Sequence, residues 1–248
     1  MGSAAKVLVP SHPVMGMVRR RIEKGGEHLW CFDDFDDLPS LAVAQALSRL
    51  ARQGAIERLS KGVYYRGRET VFGKSRPNPA MLRSLASKRT PLFPSGMAAA
   101  NFLGFTTQMP RQSEIATSAS SLPRKLVGKD TLIHTRRPGA WAGLSETDAA
   151  LLDFLRHGAR FSELSPQDTI RRLLALLSEQ KKFNRLLKVV DTEPPRVRAM
   201  LGALGEQLGA NHRTLRRLLD SLNPLSKFDF GMLAALPNAG NWQAKGHP

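Results

Sequence analysis

The chain has 248 residues, of which 42% are hydrophobic and 23% are charged. This balance excludes wholesale disorder, collagen-like repeats and a membrane bundle, and a single cysteine excludes a disulfide framework and a zinc site built on several cysteines. Lysine and arginine number 37 against 21 acidic residues, which gives a net charge of +16. Such an excess favours a polyanionic partner, most commonly nucleic acid, although a merely basic protein has the same composition.

The N-terminal sequence MGSAAKVLVPSHPV contains no apolar run long enough for a signal peptide. No window of the chain approaches the ~18 apolar residues of a membrane span. Cys31 is the lone cysteine, and a lone cysteine suits a reducing compartment. We therefore expect a cytoplasmic protein. Residues 1–12 lack periodicity and are expected to form a flexible N-terminal segment.

The first seventy residues predict three helices followed by a small hairpin, because apolar positions recur first at helical and then at alternating spacing. In chain order these are helices over Val14–Lys24, Asp33–Leu38 and Leu41–Gln53, the last capped by Ser40, and strands over Ala55–Leu59 and Val63–Arg66 around the turn Ser60-Lys61-Gly62. This is the order of a winged helix-turn-helix domain, which we assign to residues 13–70. The third helix of such a domain enters the major groove, and its hairpin reaches the backbone or minor groove.

The third predicted helix has a polar face that suits this docking. Gln45, Ser48, Arg49 and Arg52 lie opposite its apolar stripe, and such side chains recognise base edges. Further positive charge is expected on the hairpin and around the first helix, where it would contact phosphates: Arg58, Lys61, Arg66, Arg19, Arg20 and Arg21. The same spacing also fits solvated charges on an ordinary small α/β unit.

Residues 71–140 are the most basic part of the chain, with 11 basic and 2 acidic residues. They predict a mixed α/β region with a small sheet, and this region is a further candidate for phosphate contacts or simply a solvated basic surface. The predicted elements are helices over Pro77–Ser87 and Gly96–Leu103, the latter capped by Ser95, and strands over Leu92–Pro94, Glu114–Ser118 and Lys125–Arg136, the last with a turn at 128–130.

From Ser145 onward the apolar stripes are helical, Pro194-Pro195 interrupt them, and residues 237–248 look unstructured. We therefore assign residues 71–228 to one C-terminal domain, mixed α/β to about residue 140 and helical beyond it. The fold class expected for the whole chain is α+β.

Patterns of enzyme chemistry are missing from the sequence. None of the six histidines has a neighbour at metal-ligand spacing, and the cluster Asp33, Asp34, Asp36 and Asp37 is better explained by a helix start. Ser95 stands in P-S-G-M-A, which is unlike the G-x-S-x-G of hydrolases. We expect a protein that is not an enzyme and that has no metal site and no cofactor.

Three runs resemble the AbiEi-type antitoxins of type IV toxin–antitoxin systems, which act in abortive phage infection. They are ALSRLARQGAIERLSKGVYY at Ala46–Tyr65, PSGMAAANFLGFTTQMP at Pro94–Pro110 and EPPRVRAMLGALGEQLG at Glu193–Gly209, within a likeness spanning roughly residues 14–222. The resemblance implies a repressor that binds inverted repeats upstream of its own operon. It also implies a C-terminal domain that supports cooperative binding and the neutralisation of a nucleotidyltransferase-like toxin, for which a stable complex is not required.

On this chain the resemblance places the groove-facing helix at Gln45, Ser48, Arg49 and Arg52, and the wing at Arg58, Ser60, Lys61 and Tyr64. We expect Arg49 to contact a guanine edge, Lys61 to contact phosphate, and two protomers to occupy one inverted repeat. Two other readings stay open: an antitoxin that grips its toxin directly, and a nonspecific nucleic-acid binder. An aromatic content of 6% speaks against a reader of single strands.

Overall fold

The computed structural model describes residues 11–71, 73–78, 82, 85, 90–128 and 130–245. The protein is a mixed α+β protein of helices and small sheets, in agreement with the expected class. Its contacts divide it into two units, the first from residues 1–86 and 123–129 and the second from residues 87–122 and 130–248. None of the helices in the described ranges has the length and apolar content needed to cross a lipid bilayer.

The described helices are α1 (Ser11–Gly25), α2 (Ser40–Arg52), α3 (Gly96–Phe102), α4 (Arg124–Val127), α5 (Glu146–Arg156), α6 (Pro166–Ser178), α7 (Lys182–Leu187), α8 (Pro195–Gln207) and α9 (His212–Asp220). The described strands are β1 (His28–Cys31), β2 (Glu57–Ser60), β3 (Val63–Arg66), β4 (Glu69–Thr70), β5 (Gly73–Lys74), β6 (Phe93–Pro94), β7 (Glu114–Ala116) and β8 (Leu132–His134). Most of the helix predicted over Pro77–Ser87 lies outside the described residues.

The first unit packs α1 and α2 together with a three-stranded antiparallel sheet of order β1-β3-β2. Its core contains the apolar stripes that the sequence predicts for the two helices. Burying a large apolar side chain contributes roughly 1.5–3 kcal/mol to the stability of the fold. The buried side chains are Val14, Val18 and Ile22 of α1, Val43, Ala46, Leu47 and Leu50 of α2, and Trp30, Phe35, Ile56 and Tyr64.

The region between α1 and α2 differs from the prediction. Strand β1 was not expected, and the second helix is reduced to one 3₁₀ turn over Phe32–Phe35. The Asp34 carboxylate caps the start of this turn, because it accepts a hydrogen bond of 2.6 Å from the Cys31 backbone N–H. Phe35, only 1% exposed, anchors the turn in the core.

The segment 123–129 groups with the first unit by its contacts, whereas the sequence placed one domain boundary after residue 70. The sequence predicted a strand beginning at Lys125, but the chain forms the short helix α4 and only then the strand β8. The Lys125 ammonium lies 2.7 Å from Glu57 Oε1 on β2. Local alternation carried no sign of this contact between residues 68 positions apart.

The second unit has a sheet of order β6-β7-β8, in which β7 is antiparallel to β6 and parallel to β8. Its core is dominated by leucines of the helices, by Trp141, and by Phe105 and Phe154, whose rings stack at 4.2 Å between centroids. Ser145 caps α5 as a serine in this position should, because its hydroxyl accepts a hydrogen bond from the Asp148 backbone N–H.

The C-terminal residues 237–245 are ordered, contrary to the unstructured tail that the sequence predicted. Trp242 is only 3% exposed. Its ring lies against Gly202 of α8, where an added Cβ would overlap the indole. The indole N–H donates to Glu206 Oε2 at 2.7 Å, and the Asn238 amide donates to the same oxygen at 2.9 Å. These contacts join the C-terminal residues to α8, which is more than 30 positions away in sequence. A short stretch without apolar periodicity therefore could not predict them.

Candidate nucleic-acid interface

Helix α2 presents a polar face to solvent. Its buried positions are Val43, Ala46, Leu47 and Leu50. The 3.6-residue period then turns the remaining positions outward. As a result Gln45, Arg49 and Arg52 are exposed and Ser48 is half-buried, so all four predicted groove-facing residues lie on accessible surface.

The turn between β2 and β3 brings further positive charge to the surface of the first unit. Arg58 and Lys61 are exposed, and Ser60 is half-buried. The pairing of the two strands is irregular between Arg58 and Ser60, where a register shift occurs. A shift of this kind re-aims the side chains at a strand end.

Tyr64 does not belong to this surface, which corrects its expected role in the wing. It is 3% exposed and packs in the core, paired across the sheet with Trp30. The reason is its place in β3, the central strand, where Val63, Tyr64 and Tyr65 are all buried. A strand that is covered on both faces buries consecutive residues, so the alternating pattern does not predict which of its side chains are exposed.

The three consecutive arginines of α1 have different surroundings. Arg21 forms a two-point ion pair with Asp37, at 2.6 and 2.7 Å, and also donates to the Asp34 backbone carbonyl. The Asp37 partner raises the pKa of Arg21, and the guanidinium lowers the pKa of the Asp37 carboxyl. Arg21 is therefore engaged within the first unit, and this corrects its expected role as a phosphate ligand.

The other two arginines stay on the surface. Arg20 is exposed. Arg19 is also exposed, and one of its terminal nitrogens donates to the Gln53 side chain at 2.8 Å. A neutral partner leaves the charge of Arg19 uncompensated, so both side chains stay available to an anion.

A cleft of about 450 Å³ lies between α2 and the sheet of the first unit. Ser48 and Arg52 of α2 and Arg58 of β2 line it together, so three of the predicted residues converge on one concave surface. Gln45 and Arg49 line a separate small groove beside Met15 of α1. The predicted residues therefore form two adjacent groups along one helix.

Two lysines complete the cleft, and local sequence patterns did not single them out. Lys74 and Lys125 both line it, and the sequence included them only as part of the basic middle region. The Lys74 ammonium donates to the Gly54 carbonyl at 2.5 Å, and that of Lys125 donates to the Arg58 carbonyl at 3.3 Å. Among the described residues that line the cleft, Glu57 is the one acidic residue against four basic residues, so the cleft favours an anionic ligand.

Residues 19–138 match a family of unknown function, DUF6088. The match begins within α1 and ends after β8, so it covers the elements of the candidate interface. Among solved structures, the crystal structure of RV2827C protein from Mycobacterium tuberculosis is similar, with a TM-score of 0.41 and 17% sequence identity over 88% of this chain and 82% of that chain. No curated protein matches the chain.

Proposed function

We propose that the first unit is a winged helix-turn-helix domain and that the protein binds double-stranded DNA in a sequence-specific manner. The order α1, β1, 3₁₀ turn, α2, β2, β3 and the sheet order β1-β3-β2 support this reading. In such a domain α2 is the recognition helix and the β2–β3 turn is the wing. Both elements carry exposed cations here.

The observation that carries the proposal is the convergence of Ser48, Arg52 and Arg58 on one basic cleft beside the exposed Arg49. A helix that enters the major groove needs side chains for base edges and cations on both flanks for the phosphates. In this assignment Arg49 contacts a guanine edge. Arg20 and Lys61 contact phosphates, and Lys125 becomes available to a phosphate when it leaves its partner Glu57.

The biological role that fits this binding is repression of the protein's own operon, as the antitoxin of a type IV toxin–antitoxin system. The support for it is the resemblance of three sequence runs to AbiEi-type antitoxins. One winged domain covers a half-site, so two protomers would bind one inverted repeat. The toxin would be a nucleotidyltransferase-like protein that needs no stable contact with this chain.

Fluorescence anisotropy on a labelled duplex from the region upstream of the gene tests the DNA proposal. A scrambled duplex of equal composition is the control, and both are titrated over a salt series. We expect the native duplex to bind tighter by about 10³-fold or more. Equal and steeply salt-dependent binding to both duplexes would contradict sequence-specific repression and leave a nonspecific nucleic-acid binder.

Growth assays test the antitoxin role separately. The neighbouring gene is induced alone and then together with this protein, supplied from a plasmid without its upstream region. We expect arrest in the first case and rescue in the second. Co-purification of the two proteins would favour direct toxin binding, and absence of arrest would leave a regulator without a toxin.

A further inference from the structure

Two strands and a helix of the second unit bring together three side chains that are far apart in sequence. Glu114 begins β7, His134 ends the parallel strand β8, and His157 follows the last residue of α5. His134 Nε2 lies 2.7 Å from Glu114 Oε1. One candidate ligand atom from each of the three residues lies within 4.8 Å of the other two. The sequence predicted no metal site because local spacing does not reveal residues that meet only in the folded chain.

The Glu114 carboxylate has a defined place in the fold. It lies against Gly96, at the start of α3, where an added Cβ would overlap its oxygens. Gly96 also has a φ of +56°, a conformation that favours glycine. The carboxylate is therefore held in a space that the backbone leaves open for it.

The orientation of His157 is set by a buried aspartate one turn earlier in α5. His157 Nδ1 lies 2.8 Å from the Asp153 backbone carbonyl and 3.3 Å from Asp153 Oδ2. A proton on Nδ1 satisfies both oxygens and leaves the lone pair on Nε2. A metal-binding imidazole usually donates the N–H of its other ring nitrogen to a carboxylate or a backbone carbonyl, as His157 can do here.

Asp153 is itself fixed from several sides. Its side chain is fully buried, and Oδ1 accepts a hydrogen bond of 2.7 Å from Arg137. Oδ2 accepts from the Ser95 hydroxyl at 2.9 Å and from the Gly96 backbone N–H at 2.8 Å. Ser95 therefore does not cap α3 with its side chain, as the sequence predicted, because its hydroxyl is directed to Asp153 instead.

We propose that Glu114, His134 and His157 bind a divalent transition-metal cation of the zinc class, with Asp153 as a positioning residue for His157. Two imidazoles and one carboxylate are donors that such a cation accepts. Tetrahedral ligand atoms around zinc lie about 3.3 Å apart, so the hydrogen-bonded atoms of Glu114 and His134, which are 2.7 Å apart, must separate slightly to admit the ion.

All three side chains are partly accessible to water. The side chains of His134 and His157 are 27% and 26% exposed, and that of Glu114 is 15% exposed. Three protein ligands and one open position describe a site that can exchange its metal and bind a further small ligand. This inference is independent of DNA binding, because its residues all lie in the second unit.

Isothermal titration of the full-length, tag-free protein with Zn²⁺, after EDTA treatment and desalting, tests the site. We expect one Zn²⁺ per chain, and visible Co²⁺ absorption bands of the tetrahedral type. H134A, H157A and E114Q should each weaken binding by at least about 10-fold. H212A is the matched control because His212 is an exposed histidine of α9, and it should bind as the wild type does.

Thermal unfolding of the same proteins guards against variants that fail to fold. H157Q and E114Q change the side-chain volume little, so they replace the alanine variants in the binding measurement where those are unstable. Zn²⁺ should raise the unfolding midpoint of the wild type and of H212A but not of H157Q or E114Q. No binding by the wild type, or equal binding by all variants, would overturn the proposal and leave two hydrogen-bonded histidine–carboxylate pairs of purely structural use.

Discussion

Arg21 of α1 and Asp37, which precedes α2, face each other in a two-point ion pair: Nη1 lies 2.6 Å from Oδ1, and Nη2 lies 2.7 Å from Oδ2. The guanidinium also lies over the Phe35 ring, 5.5 Å from its centroid. The pair connects α1 to the segment between the 3₁₀ turn and α2. Arg21 is therefore used within the fold, whereas the neighbouring Arg20 has an exposed side chain.

Acidification should weaken this pair. The pKa of Asp37 is lowered in the folded state by its hydrogen bond to Arg21. Its contribution to stability is therefore fully present above the unfolded carboxyl pKa of ~3.9 and is lost as the pH falls through the folded value. We expect the difference in unfolding midpoint between the wild type and D37N to shrink from pH 7 towards pH 3. D36N, a matched charge change next to it, should show a smaller difference at pH 7.

Arg49→Ala should reduce the specificity of DNA binding. Loss of a bidentate guanine contact costs about 1–3 kcal/mol at the specific site and little on scrambled duplex. Lys61→Ala is the contrasting variant, because loss of a phosphate contact weakens all duplexes alike and lowers the salt slope by about 1. Anisotropy on both duplexes measures the two effects. Intact discrimination in the Arg49 variant would show that another side chain recognises the base.

Glu57→Gln should tighten duplex binding, and Lys125→Ala should weaken it. Glu57 is the carboxylate that lines the basic cleft, and it pairs with Lys125 at 2.7 Å. Removing it takes a negative charge from the surface and frees the lysine for phosphate. Both changes are read from the dissociation constant at low salt and should fade at high salt.

The control for this cleft is Lys188→Ala, an equal charge change at an exposed position of the second unit. It should weaken duplex binding less than Lys125→Ala does. If both lysine variants lost the same affinity, net charge alone would account for the effect and the cleft would have no special part in it.

Trp242→Ala should destabilise the second unit by about 3–5 kcal/mol, because it removes a buried aromatic ring from its packing on α8. Urea unfolding followed by far-UV circular dichroism measures the loss. Gln243→Ala, at the half-buried neighbouring position, is the comparison and should cost much less. A wild-type free energy of unfolding for the Trp242 variant would mean that residues 237–245 pack only loosely.

Much of the first unit follows from local sequence. The apolar spacing of Val14, Val18 and Ile22, and of Val43, Leu47 and Leu50, predicts both helices and the faces that they bury. The turn after Ser60 and the strand after it are equally local. These features are predictable because a helix or hairpin places residues within four positions of one another, and side-chain polarity alone then decides which face is covered.

Other features depend on residues that meet only in the folded chain. Tyr64 is buried because β1, which had no clear pattern, pairs with its strand. Lys125 joins the cleft because residues 123–129 return to the first unit.

His134 and His157 approach each other because a strand end and a helix end meet, 23 positions apart in the chain. Sequence alone thus determined α1, α2 and their buried faces, the cationic surface of α2 and the fold class. Tertiary structure decided which polar groups share one site, because burial and pairing between distant segments are set by the packing of the whole unit and not by local spacing.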